Sequence, residues 1–383
     1  MSAPPHLLSA AEVSAQLGVS RATLYSYVSR GLIRAAPAEN DPRRSLYDAT
    51  DVARLLERRS RGRARREVAA STTDWGEPIL RSALTRIEDG ALSYRGRDAI
   101  VLAETATLED AAGLLWGGAV PVVPDIAEPL PAAPTPFERC LRAVARDAAD
   151  SDWALHPPQV AAGAARLLGR MAQAAAGASV PPGQKVHARL GAAWGLDAAG
   201  TELLRRALVL CADHELNASA YAARVVASTG ASLAACVLAG LAALSGPRHG
   251  GMTGRVRALA ADTEVAADPS RAFSARLARG EELPGFGHRL YPHGDPRAAA
   301  LFAACPPGPV WREMIAAAAA LAGLHPTIDV ALAMLEATLP LPAGGGLALF
   351  AVGRSAGWIA HALEQRADGR LIRPRAEYVA RDG

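Results

Sequence analysis

From about Trp75 onward, the chain is an almost unbroken succession of segments in which apolar residues recur every three or four positions. This period predicts amphipathic helices, because residues three and four apart lie on the same helix face. Half of all residues are hydrophobic, enough for a large core. The predicted helices are Thr107–Leu115, Pro136–Ala149, Pro158–Ala176, Thr201–Ala212 and Ala220–Leu244. Strand-like runs are few apart from a turn-rich ribbon at residues 91–98, so we predict an all-α domain.

The first sixty residues follow a different pattern, with two short helical segments separated by a glycine. Ser9 and Glu12 fit the capping box of a first helix, and Gly18 fits its end. A second helix follows at once. Two strands around the tip ENDPRR and a third helix, capped by Asp48 or Thr50, complete the predicted module.

Residues 7–60 therefore resemble the winged helix-turn-helix of the MerR and excisionase type. In that fold the second helix can lie in the major groove of DNA. The candidate DNA-binding residues are Ser20, Arg21, Thr23, Tyr27 and Arg30, with Arg43 and Arg44 on the wing. A helical module that docks on a partner domain, or dimerises without touching DNA, remains an alternative.

Positive charge is concentrated at the amino-terminal end. The net charge of the whole chain is +3, whereas residues 1–70 contain 12 arginines against 7 acidic residues. The run at 58–66 could contact DNA phosphates or form a solvated linker. We predict a winged-helix domain over 1–66, a linker over 67–74 and a large domain over 75–383.

Several classes of protein are disfavoured by the composition. No window approaches the roughly 18 to 20 apolar residues of a membrane span, and the amino terminus lacks the pattern of a signal peptide. We therefore expect a cytoplasmic protein without a membrane partner. The four cysteines show no CxxC spacing, and arginines crowd the histidine-rich loop at 283–298, so we expect no metal site.

Three polar clusters interrupt the predicted helices. His214 precedes the segment 220–244, His249 follows it, and the loop 283–298 (LPGFGHRLYPHGDPRA) forms the third cluster. A continuous helix would hold the first two histidines about 50 Å apart, so a common site requires a break. Each imidazole alone could be a structural residue, but the glycines beside His249 and His288 would permit a small ligand to approach closely.

The order and spacing of five motifs are similar to those of the citrate synthase and 2-methylcitrate synthase family: HELNASAYAARVVAST, GPRHGG, PGFGHRLYPHGDPRA, HPTIDVAL, and FAVGRSAGWIAHALEQ with RLIRPRAEYV. The resemblance covers about Trp75–Val379. It implies an all-α fold with large and small helical domains, the smaller at about 252–335 and hinged to close over substrate. It also implies a homodimeric acyltransferase that condenses acetyl-CoA or propionyl-CoA with oxaloacetate and needs no cofactor beyond its acyl-CoA substrate.

The resemblance further implies roles for individual residues. Asp329 would be the base, His249 the hydrogen-bond donor to the thioester oxygen, and His288 the group that polarises the ketone. The residues implied for binding oxaloacetate are His214, Arg297, Arg354 and Arg373, the last reaching the site of the neighbouring subunit. Those implied for binding acyl-CoA are Gly285, Phe286, Gly287 and Arg289.

The chain departs from the family pattern near these positions. Where the family commonly has GGANEAV, this chain has GGMTGRV, which places Thr253 and Gly254 at the Asn and Glu. After Asp329, the usual DFYSG becomes DVALA, and Pro292 replaces a common basic residue. These changes alter the surroundings of the acyl group. The alternative function is a regulator that senses oxaloacetate or acyl-CoA through the synthase fold and binds an operator.

Overall fold

The computed structural model describes residues 7–29, 32–38, 41–56, 80–120, 123–124, 126, 130–150, 152, 156–178, 183–376 and 378. Its contacts divide the chain into two units, Met1–Arg81 and Ser82–Gly383. The predicted linker at 67–74 and the basic run at 58–66 lie outside the described residues. The predicted domain boundaries therefore remain predictions.

The first unit has the predicted order of two helices, two strands and a helix. Its elements are β1 (Leu7–Ser9), α1 (Ala10–Leu17), α2 (Arg21–Ser29), β2 (Ala35–Ala38), β3 (Asp41–Asp48) and α3 (residues 49–56). The short strand β1 was not predicted, and it pairs with β3 in an antiparallel sheet of order β1-β3-β2. Pairing of the wing with the start of the chain closes this small fold around its own apolar core.

Local capping explains where these helices begin and end. The Ser9 hydroxyl accepts from the backbone of Glu12 while the Glu12 carboxylate accepts from Ser9, as the capping box predicts. Gly18 ends α1 in the left-handed conformation. Asp48 rather than Thr50 caps α3, because its carboxylate accepts from the backbone N–H groups of Thr50 and Asp51.

The second unit opens with the predicted ribbon and continues as an all-α domain. The ribbon comprises β4 (Thr85–Glu88), β5 (Ala91–Tyr94) and β6 (Arg97–Asp98) in sequential antiparallel order. The first helices are α4 (Ala99–Thr105), α5 (Leu108–Trp116), α6 (Pro136–Asp147), α7 (Pro157–Ala176), α8 (Val186–Ala193), α9 (Ala198–Leu210), α10 (Ala218–Ala227) and α11 (Leu233–Leu244). The remaining helices are α12 (Met252–Ala261), α13 (Thr263–Ala267), α14 (Pro269–Ala278), α15 (Pro296–Ala304), α16 (Pro309–Ala322), α17 (Ile328–Thr338) and α18 (Gly345–Asp368).

The predicted helix over 220–244 is two helices, as a common histidine site requires. Helix α10 ends at Ala227, and α11 begins at Leu233. Ser232 caps α11, because its hydroxyl accepts a hydrogen bond from the backbone N–H of Ala235. The two helices then pack against each other. This reversal replaces the extended rod by a hairpin, which removes the 50 Å separation expected for a continuous helix.

Helix α18 runs through the middle of the second unit and contacts α5, α6, α7, α9, α10 and α11. It approaches the end of α9 so closely that a Cβ atom on Gly357 would lie 2.4 Å from the backbone oxygen of Ala212. The Gly357 N–H donates to that oxygen at 2.9 Å. This contact sets the α18 residue Arg354 beside the chain that leads from α9 to His214.

Helices α12 to α17 pack among themselves: α12 and α15 contact α17, and α14 contacts α16. Helices α17 and α12 also contact α18, which joins this group to the central helix. Most of the loop 283–298 lies between α14 and α15, and its last three residues form the first turn of α15. No helix in the described ranges has the length and apolar character that crossing a bilayer requires.

Candidate active site

The loop 283–298 is fixed to the segment that precedes α17. The Gly287 N–H donates to the His325 carbonyl at 2.8 Å, and the Thr327 N–H donates to the Gly285 carbonyl at 2.9 Å. Gly285 has a φ of 81°. A Cβ atom there would lie 2.4 Å from Val256, so the close approach at this glycine is to the protein's own side chains. These bonds bring the loop next to Asp329 in the first turn of α17.

The imidazole of His288 and the phenol of Tyr291, both in this loop, meet the imidazole of His214. The Nε2 atom of His214 lies 2.9 Å from the Tyr291 hydroxyl. The His288 ring centroid is 5.4 Å from that of His214 and 4.9 Å from that of Tyr291. The Leu290 N–H donates to Nδ1 of His288 at 3.2 Å. In a neutral ring this leaves the proton on Nε2, which is then a hydrogen-bond donor.

His249, which follows α11, is held by the start of α10. Its Nε2 atom lies 2.8 Å from the Ser219 hydroxyl, which also lies 2.8 Å from Oδ1 of Asn217. Asn217 caps α10 through the same oxygen. The His249 ring meets the Phe350 ring edge-on, with centroids 6.1 Å apart. Of the two histidines that flank the α10–α11 hairpin, His249 therefore contacts α10 and His214 contacts the loop 283–298.

Two of the three arginines predicted for oxaloacetate are buried, and they differ in what they already bind. Arg297 is 2% exposed and forms a two-pronged ion pair with Asp295, at 2.9 and 2.7 Å. Arg354 is 1% exposed and donates from Nε to the Cys211 carbonyl at 2.7 Å. Its two terminal nitrogens are buried and make no hydrogen bond to the described part of the chain. Because unsatisfied buried N–H groups are costly, this fork is suited to an anionic ligand.

The Asp329 carboxylate is held between two threonines. The Thr253 hydroxyl donates to Oδ1 at 2.8 Å, and the Thr327 hydroxyl lies 3.5 Å from Oδ2. Burial raises the pKa of Asp329 to about 6, against the lowering influence of the Thr253 hydrogen bond and the Arg297 charge. The group is thus ionised at neutral pH and is a stronger base than an exposed aspartate.

Burial lowers the pKa of all three histidines, and the charge of Arg297 adds to this effect. Burial is the main cause, and the charges of Arg297 and Arg354 add to it, in lowering the pKa of His214 well below 6.5 and that of His249 to about 3. Burial followed by Arg297 also lowers the pKa of His288. Neutral imidazoles in a cationic, desolvated pocket can donate hydrogen bonds to oxygens that gain negative charge.

The other residues predicted for the substrates remain predictions. Phe286 is 8% exposed, and its side chain packs against Phe273 in the hydrophobic core. Arg289 is exposed beside His288, and Arg373 is exposed on the segment that follows α18.

Sequence reasoning missed four contacts of this site, including that of Thr253, which was noted only as a departure from the family motif. The Ser219 hydroxyl reaches His249, the Tyr291 hydroxyl reaches His214, Thr253 reaches Asp329, and Asp295 pairs with Arg297. Asp295 alone carried a local signal, because an Asp-Pro pair at a helix start is typical of a cap. The other three contacts join distant parts of the chain and leave no pattern in sequence.

In the first unit, the residues predicted to contact DNA differ in their exposure to solvent. Arg21 is exposed at the start of α2, whereas Tyr27 packs partly against the small core. The Ser20 hydroxyl accepts from the Thr23 N–H and lies 3.0 Å from the Thr23 hydroxyl, so both polar groups help to cap α2. Arg30 lies outside the described residues, and the side chains of Arg43 and Arg44 are not described.

Models of two known protein families match separate parts of this chain. A model of the citrate synthase C-terminal domain matches residues 73–375, and a helix-turn-helix domain model matches residues 7–60. A protein named putative citrate synthase 2 from Mycobacterium bovis is 40% identical over 183 residues, which is 45% of this chain and 49% of that protein. The match with this relative thus spans about half of its length.

Two other matches extend over most of the second unit. A 2-methylcitrate synthase from Shewanella oneidensis is 27% identical, with 86% of this chain and 96% of that protein covered. The solved ternary complex of citrate synthase from Thermoplasma acidophilum with carboxymethyl coenzyme A and oxaloacetate has a TM-score of 0.67 and 25% identity. It covers 80% of this chain and 95% of that structure. The predicted all-α architecture is confirmed by this agreement.

Proposed function

Because the chain belongs to the citrate synthase family, we propose that it condenses an acyl-CoA, acetyl-CoA or propionyl-CoA, with oxaloacetate. The products are citrate or 2-methylcitrate and free CoA. The observation that carries this proposal is that the charge of buried Arg297 acts both on a carboxylate with a raised pKa, Asp329, and on three neutral imidazoles, two of which also feel buried Arg354. Such a set can remove a proton from carbon and stabilise the resulting oxyanion.

Oxaloacetate binding follows from the buried cations. The terminal nitrogens of Arg354 offer a planar fork for one carboxylate. Arg297 adds positive charge, and its pairing with Asp295 fixes its position. His214, held by Tyr291, lines the same space, and we assign the Nε2–H of His288 as the donor to the ketone oxygen, because its Nδ1 accepts from the Leu290 N–H.

Carbon–carbon bond formation then needs a base and two donors. Asp329 removes a proton from the carbon next to the thioester, and His249 donates to the thioester oxygen as the enolate forms. The enolate carbon bonds to the ketone carbon of oxaloacetate while His288 donates to the ketone oxygen, which becomes the hydroxyl of the product. Water then hydrolyses the thioester and releases CoA.

The contacts of Ser219 support the role of His249. Its hydroxyl lies 2.8 Å from both Asn217 Oδ1 and His249 Nε2. In the structure the hydroxyl donates to that Asn217 oxygen, which also accepts from two backbone N–H groups, so the hydroxyl proton can rotate to the imidazole without leaving the oxygen unsatisfied. Nδ1 of His249 then carries the ring proton and becomes the donor that the reaction requires.

A thiol-release assay with oxaloacetate and each acyl-CoA tests the proposal. Asp329→Asn is expected to lower kcat by about 10² to 10⁴. Glu282→Gln is the matched control, because the Glu282 side chain is 83% exposed. Absence of CoA release from the unaltered protein with either thioester rejects the synthase, and DNA retention that depends on oxaloacetate would then support a sensor.

We infer a homodimeric enzyme in which Arg373 of one subunit completes the site of the other. The exposure of Arg373 on the segment after α18 supports this proposal. Mixing inactive Asp329→Asn and Arg373→Ala proteins should restore part of the activity, because one site of each mixed dimer keeps both groups. No recovery after exchange of subunits would place both groups in the same chain.

We also propose that the first unit binds DNA through α2. Its match to the helix-turn-helix family and the exposed Arg21 favour this function over a docking role. Binding should weaken steeply with salt, and Arg21→Ala should weaken it further. Arg54→Ala, which alters an arginine with 70% side-chain exposure on α3, is the control; equal effects of both variants would argue against a specific role of α2.

A further inference from the structure

Thr253 contacts Asp329 at a point where this chain departs from the family motif. It lies in the first turn of α12, four residues after His249, and is 1% exposed. Its hydroxyl donates to Oδ1 of Asp329 at 2.8 Å. Among the described residues, Oδ2 has the longer 3.5 Å approach of the Thr327 hydroxyl as its one hydrogen-bond contact. The two carboxylate oxygens are therefore held unequally.

The geometry around Thr253 fixes the direction of its hydroxyl. Helix α12 begins at a glycine cap without a side-chain cap bond, so the hydroxyl is not used to start the helix. On the other side, the Thr253 methyl group faces α18 and would lie 3.2 Å from a Cβ atom on Gly346. Because β-branched side chains have few χ1 positions, packing of the methyl group aims the hydroxyl at Asp329.

Resting on the proposed function, we propose that Thr253 is a positioning residue for the base Asp329. Its hydrogen bond holds Oδ1 and leaves Oδ2 as the oxygen that accepts the proton from the acyl-CoA carbon. It also stabilises the ionised form of the carboxylate, since the donated bond is stronger to a charged acceptor. Thr253 therefore acts on the reaction through Asp329.

Other charged groups around Asp329 act on the same carboxylate. Arg297 favours its ionised form and Asp295 opposes it, and the Cys211 thiol lies in the same field. These groups stay in place when Thr253 is altered. A change in the titration of Asp329 in a Thr253 variant therefore reports on the hydroxyl.

The test compares Thr253→Val, which keeps the shape and removes the hydroxyl, with Thr253→Ser, which keeps the hydroxyl. Thr253→Val should lower kcat about tenfold and move the acidic limb of its pH profile upward by about one pH unit. The KM for oxaloacetate should change less than about twofold, since the guanidinium groups are untouched. Thr253→Ser should rescue kcat and the position of the limb.

A readout that does not need turnover separates this proposal from the proposed function. The carboxyl carbon of Asp329, labelled with ¹³C and assigned by its loss in Asp329→Asn, is titrated by NMR in each protein. A higher pKa in Thr253→Val but not in Thr253→Ser supports the positioning role even if no thioester is consumed. An unchanged pKa, or an equal change in both variants, overturns it even if the unaltered protein is an active synthase.

Discussion

Replacing Asp329 by asparagine should stabilise the fold while it abolishes the proposed activity. The side chain keeps its size and can still accept the Thr253 hydrogen bond, but it no longer carries a charge that burial disfavours. The pKa is 3.8 for an ordinary aspartate and about 6 here. At 1.36 kcal/mol per pKa unit, the charged form costs about 3 kcal/mol of unfolding free energy.

The pH dependence of this stabilisation follows from the fact that the pKa of Asp329 is higher in the folded protein than in the unfolded one. Below pH 3.8 the carboxyl group is protonated in both the folded and the unfolded protein, so there is no cost. Because the folded pKa is the higher one, the cost grows as pH rises from 3.8 to about 6 and is complete above that. Asp329→Asn should therefore raise the unfolding free energy by up to about 3 kcal/mol at pH 8 and by less than about 1 kcal/mol at pH 4.

Urea unfolding of both proteins at these two pH values measures the effect, with far-ultraviolet circular dichroism as the signal. The exposed-carboxylate variant Glu282→Gln should change the unfolding free energy by about 0.5 kcal/mol or less at either pH. A variant that is less stable than the unaltered protein at pH 8, or a gain of the same size at both pH values, would refute the reasoning.

Three further predictions concern the loop, the arginine fork and the base. Acidification should lower kcat/KM with a slope of one in a logarithmic plot below about pH 6, because Asp329 is protonated there while His249, with a pKa of about 3, stays neutral. A slope of two in steady-state assays would show a second titrating group and contradict this assignment. Gly285→Ala should lower the unfolding free energy by about 2 kcal/mol, because its Cβ atom would lie 2.4 Å from Val256 at a residue with a positive φ. Adding Val256→Ala to this variant should recover part of the loss. If chemical unfolding shows that the two losses simply add, the clash is not the cause. Arg354→Lys should raise the KM for oxaloacetate by at least about tenfold, since one ammonium cannot replace a planar fork, and an unchanged KM would mean that the fork does not hold the substrate.

Much of the fold could be predicted because its signals are local. The capping box at Ser9 and the ribbon at 91–98 depend on residues a few positions apart, and both are confirmed. The helix predicted over 201–212 begins earlier, at Ala198, because the Asp197 carboxylate caps it. Helix ends shift in this way when a cap lies outside the apolar pattern from which the helix is predicted.

The candidate site could be predicted only in part. The motifs pointed to His249, His288 and Asp329 through a family resemblance, since nothing local distinguishes a catalytic imidazole from a structural one. That resemblance did not give the partners of these groups. Arg297 is already paired with Asp295 whereas Arg354 has two terminal nitrogens without described partners, and only packing decides this difference.

By itself, the sequence determined the order of helices, their caps and the chemical types gathered in the polar clusters, because each depends on neighbours within about one turn. Tertiary structure decided how those clusters meet and what protonation states they hold. Thr253 and Asp329 are separated by 76 positions, and their contact exists only because α12 packs on α17. The pKa of Asp329 is likewise set by burial and by the field of distant charges, quantities that no stretch of sequence contains.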